Sequence, residues 1–165
     1  MLSRHPLRDG VVAGVLGAGS VAAWFFVLDL LAGRPFFTPA VLGAAVLKLF
    51  GGEFGGRGLA FHVAVYTVVH VAAFVALGIA TALATNAMER KPRALNGFLV
   101  LFVILELGYL GLVRLAAGSE LFGTYAWWQF GMANLIAALL MGRYIWQTHH
   151  PKAFWQLRTL HEGKS

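Results

Sequence analysis

The chain has 165 residues, of which 59% are hydrophobic and only 12% charged, with a mean hydropathy of +0.72. Soluble domains carry about 25% charged residues, so this composition excludes a water-soluble globule and points to lipid. The formal charge of +6 sits in short basic clusters between apolar runs, a pattern that orients helices against an anionic leaflet and argues against nucleic acid. The absence of cysteine removes disulfides and thiolate metal sites.

The length accommodates about four spans of some 20 residues each, with little left for a soluble domain. The expected fold is an all-α integral membrane protein occupying 1–165 as a single membrane domain. It is a four-transmembrane-helix bundle with spans near 11–33, 61–85, 95–116 and 124–147, a short outer helix near 38–50 and an amphipathic tail over 148–165. Arg4 and Arg8 give the start a signal-peptide look. The following apolar run of about 22 residues is too long for an h-region and ends in Asp29 rather than a clean small-residue site, so an uncleaved first span is expected. Arg90, Lys91 and Arg93 between the second and third spans, and Lys152, Arg158 and Lys164 after the fourth, place both termini in the cytoplasm of a bacterial inner membrane.

Along the first span Gly10, Gly14, Ala18 and Ala22 recur every four residues. Such a stripe lets two helix backbones approach in lipid, either inside the bundle or between copies of the chain. Next, Thr38 and Pro39 supply a capping hydroxyl and a proline for the first turn of a helix, and Gly51 with Gly52 stops it after about 12 residues. That helix is too short to span; it lies on the interface or re-enters, and Lys48 favours the interface. The glycine-rich run from Gly51 to Gly58 lacks the GK[ST] ending of a phosphate loop. Tyr125, Trp127 and Trp128 at one end of the fourth span, with Tyr144 and Trp146 at the other, read as interfacial belts. In the tail, Phe154, Leu157 and Leu160 recur at helical spacing, as a surface-lying helix requires.

Counting about 1.5 Å per residue from each helix end places His70, Glu106 and Asn134 near the bilayer midplane. Asp29, His62 and Arg114 form a shallower outer polar layer, with Gln129 slightly deeper. Ionisable groups at mid-membrane require partners, so the first trio is the candidate proton or ligand site, with an interhelical clasp as its plain alternative. Asp29 and Arg114 suit a structural ion pair. Eight residues separate His62 from His70, about 12 Å along a helix axis and about 80° around it, so the two cannot clamp one haem iron. Met132 and Met141 are conceivable second ligands but more simply packing. A di-metal carboxylate site lacks its Glu-x-x-His motifs, and His149, His150 and His161 read as solvated groups; no metal and no cofactor is expected. No hydrolase, zinc-protease or dinucleotide signature occurs, which disfavours an enzyme.

In span count and polar placement, though not in any motif, the chain resembles small four-helix bacterial inner-membrane proteins, and no activity follows from that. The expected function is a non-enzymatic subunit or accessory of a larger membrane assembly, or a homo-oligomer, with the bilayer and other membrane subunits or itself as partners. The alternatives are a proton-coupled transport or channel component using the His70, Glu106 and Asn134 layer, and a haem- or quinone-binding redox subunit.

Overall fold

A computed structural model describes residues 5–51, 58–88, 103–104, 107–108, 111 and 127–149, and all regular structure among them is helical. Four helices are delimited: α1 (Pro6–Leu31), α2 (Phe37–Leu49), α3 (Leu59–Met88) and α4 (Trp127–His149). Residues 103–104, 107–108 and 111 are helical as well. The stretch 95–116 is otherwise outside the described residues, as are the basic loop at Arg90, Lys91 and Arg93 and the tail beyond His149.

Two of these helices, α1 and α3, are long and apolar enough to cross a membrane. Both exceed the expected bounds at their starts. Helix α1 begins at Pro6, where a proline needs no amide donor, and Asp9 in the first turn suits the positive end of the helix dipole. Helix α3 runs to Met88, three residues past the expected end.

Helix α1 stops in a Schellman arrangement. Gly33 adopts φ +69°, its N–H donates to Leu30 O, and the Arg34 N–H reaches back to Asp29 O at 2.9 Å. The reversal sends the chain directly into α2. Contrary to the expectation from sequence, Thr38 is not the cap of α2. The helix starts at Phe37, the cap position is Phe36 at φ 66°, and Phe36 has no side-chain acceptor to offer. At the far end Gly51 adopts φ +73° and terminates the helix, as the sequence implied.

Helix α1 is the hub. It packs most extensively against α3, then against α4, while α2 lies mainly on α3. A Cβ on Gly10 would meet Ile79, one on Gly14 would meet Phe74 and Val75, and Ala18 meets His70, so α1 and α3 are antiparallel. The same logic applies to α4: Gly17 faces Met141 and Phe25 faces Phe130, ring centroids 4.8 Å apart, so α4 is also antiparallel to α1. Hence α3 and α4 run in the same direction.

The glycine stripe is spent inside the chain. Gly10 and Gly14 of α1 interlock with Gly78 of α3, whose missing Cβ would overlap the Gly10 carbonyl and lie 2.7 Å from Gly14 N. Gly17 makes the three-helix junction, because only a hydrogen there leaves room for the Met141 thioether from α4 and the Phe74 ring from α3. Met141 is fully buried, which identifies it as core. Ala22, the last member of the stripe, is exposed. At the ends of α4, Trp128 and Trp146 are each about half exposed, at 50% and 45%.

Candidate functional site

On α3, Tyr66, His70 and Phe74 stand four residues apart and therefore share one face. The three rings form a ladder: Tyr66 stacks on His70 at 5.0 Å with an interplanar angle of 26°, and His70 meets Phe74 at 4.8 Å and 52°. That face is pressed on α1 where Ala18 offers only a methyl group, so the imidazole reaches the backbone behind it. His70 Nε2 lies 3.2 Å from Ala18 O, and His70 Nδ1 lies 3.1 Å from Tyr66 Oη. A carbonyl oxygen only accepts, so Nε2 carries the proton. In the neutral ring Nδ1 is then an acceptor, and the Tyr66 hydroxyl donates to it. Both ring nitrogens of His70 are thus engaged within the protein. Tyr66 did not emerge from the sequence, although its spacing of four from His70 was a usable signal.

Ala18 is the thirteenth of the 26 residues of α1, so His70 packs against the middle of that helix. Asn134 is half-buried on α4 beside the buried Ala133 and Ala137. Interpolation between the Gly17/Met141 and Phe25/Phe130 contacts sets Asn134 level with Ala22, about one turn from the level of His70. Glu106, the third member of this trio, lies outside the described residues.

In the outer layer, Asp29 is fully buried and holds the first turn of α2. Its Oδ2 accepts the Thr38 N–H at 2.8 Å and its Oδ1 accepts the Thr38 hydroxyl at 2.7 Å. The carboxylate supplies the cap that Phe36 lacks, from nine positions away. The local electrostatics agree: a carboxylate is disfavoured near the end of its own helix, but the N-terminus of α2 presents the opposite pole. Arg34 stacks over the Phe37 ring at 4.2 Å and steadies the same turn. His62 comes under α2 through its backbone, where Gly43 lacks the Cβ that would overlap the His62 carbonyl. Asp29 and His62 therefore lie at the α2 end of the bundle, while Arg114 is outside the described residues. The two histidines serve different helix contacts.

Beside the α1/α3 seam runs a groove of about 460 Å³, almost wholly apolar. Val15, Ala22 and Phe26 of α1 and Val63 and Val71 of α3 form its flanks, Tyr66 and Thr67 bring hydroxyls to it, and the Asp29/Thr38 junction lies at one end. Elsewhere, the Trp24 indole nitrogen is buried with no hydrogen-bond acceptor. Among the described residues no three His, Cys, Asp or Glu side chains cluster as metal ligands do.

Comparison of the chain with protein-family models gives no match, and neither do comparisons with curated proteins and with solved structures.

Proposed function

We propose that this is a small polytopic protein of a bacterial inner membrane that works without catalysis, through lateral contacts with other membrane subunits or with copies of itself. The observation that carries the membrane part is the fate of the hydroxyl groups. Ser20 of α1 and Thr67, Thr81 and Thr85 of α3 each donate to a carbonyl of their own helix three or four residues back, at 2.7 to 2.8 Å. That arrangement suits helices with no water to bond. Large apolar side chains on the outward faces complete it, such as Val15, Val27 and Leu30 on α1 and Val68 and Leu83 on α3.

The parallel run of α3 and α4 supports four crossings. A chain leaving α3 at the Pro6 end of α1 must return along the bundle before entering α4 at the other end, and residues 103–104, 107–108 and 111 within that return are helical. The positive-inside pattern sets both termini in the cytoplasm. With no native cysteine, single cysteines at Gly51 and Ser165 make a clean topology test. A membrane-impermeant maleimide should label the first in intact spheroplasts and the second only after lysis; the reverse pattern would overturn the orientation.

Lateral association is supported by the broad apolar surface of α3, where only 11% of the most apolar window is buried. Solubilisation in mild detergent tests it directly. Co-purifying membrane proteins or a discrete oligomer are expected, and a clean monomer under conditions that preserve other complexes would sink the reading.

A further inference from the structure

The geometry points to the α1/α3 groove as a binding site for a neutral, membrane-soluble molecule whose polar group is a hydroxyl donor: a long-chain or prenyl-type alcohol, or a phenol. This rests on the chain being embedded in the bilayer, since the groove flank is then open to lipid.

What the groove offers to hydrogen bonding is set by where its protons are already committed. The Tyr66 proton goes to His70 Nδ1 and the Thr67 proton goes to Val63 O, 2.7 Å away. Each hydroxyl oxygen keeps accepting lone pairs but has no proton left to give. The His70 Nε2 proton is directed to Ala18 O. What Tyr66 and Thr67 present to an occupant is therefore acceptors, which a ligand O–H satisfies and a ketone or ether does not.

Charge narrows the class further. Among the described residues the one charged group lining the groove is Asp29 and no Lys or Arg lines it, so an anionic headgroup would find no counter-charge from them. The Asp29 carboxylate is itself fully buried and already accepts two bonds from Thr38, so it is out of reach of a ligand cation.

Shape agrees with a chain-like occupant. From Val15 to Asp29 the groove follows α1 for 14 residues, about 21 Å. Ala18, Gly19 and Ala22 keep its α1 wall low, and a Cβ on Gly19 would meet nothing within 4 Å. The volume lies within the range of small-molecule sites, about 300–1,000 Å³.

The test uses the full chain in lipid nanodiscs with a diazirine-bearing hexadecyl alcohol as the probe and its methyl ether as the matched analogue without a donor. Photolabelled peptides should map to 15–39 and 63–71, with the alcohol labelling about three- to tenfold more than the ether, as one hydrogen bond provides. Tyr66→Phe with Thr67→Val should erase that preference. Ala22→Phe, at an exposed position, should block labelling; Gly19→Leu serves if that variant fails to fold. Equal labelling by alcohol and ether, or labelling undiminished by the blocking variant, would overturn the proposal. An alkaline wash of the source membranes separates the premises. A protein that washes off removes the membrane reading, whereas one retained in the pellet but unlabelled removes only the groove.

Discussion

His70 of α3 and Ala18 of α1, 52 positions apart in the chain, are joined by a hydrogen bond of 3.2 Å from an imidazole nitrogen to a main-chain carbonyl. The bond crosses the helix pair at mid-length, and the same imidazole is fixed from its other nitrogen by Tyr66. Because the Ala18 carbonyl belongs to an unbroken helix, it has an intrahelical donor as well, and loss of His70 leaves only the Tyr66 hydroxyl proton without its acceptor.

His70→Leu should therefore destabilise only modestly, by about 0.6 to 2 kcal/mol, the usual range for a polar contact between membrane helices. Unfolding by SDS titration in mixed micelles measures it. A loss beyond about 4 kcal/mol would mean that His70 does more than join the two helices.

The glycines give a sharper contrast. Gly14→Val places a side chain against the Phe74 carbonyl and the Val75 Cα, main-chain atoms that cannot swing aside, and should cost about 3 kcal/mol or prevent folding. Gly19→Ala, five residues further along, meets open space and should be neutral or stabilising by up to about 1 kcal/mol from helix propensity. Comparable damage from both changes would contradict the antiparallel α1/α3 packing.

Asp29→Ala removes both acceptors from the start of α2 and leaves the Thr38 amide and hydroxyl buried without them. The expected penalty is about 3 kcal/mol, since each bond to an ionised group contributes roughly 1.5 to 3. It should show as faster proteolysis of the 32–37 turn, with Thr38→Val giving a smaller effect. Unchanged cleavage would show that the turn holds without the carboxylate.

Trp24→Phe should be neutral or slightly stabilising. The change removes a buried indole donor that has no acceptor while keeping most of the aromatic area. Thermal unfolding in detergent checks it, and a loss of several kcal/mol would reveal a partner for that nitrogen.

What the sequence determined by itself was an all-helical chain with stretches apolar enough to cross a membrane, and the glycine stop after α2. Hydropathy summed over 20 residues does not depend on the fold, and a glycine such as Gly51 ends a helix for reasons contained within one turn. The polar residues could be ranked by position along their helices for the same reason, since rise per residue is constant along a helix. Which way each residue turns is not local. The sequence could name Gly10 and Gly14 as a contact stripe but not say that Gly78 of the same chain fills it. It proposed Glu106 for His70 and Arg114 for Asp29, two partners that lie outside the described residues; the tertiary structure adds Ala18 and Tyr66 to the one and Thr38 to the other. Azimuth around a helix axis is decided by how the helices interlock, and here that was decided by missing side chains: Gly10, Gly14 and Gly78 allow contact close enough for an imidazole to reach a main-chain oxygen across the seam.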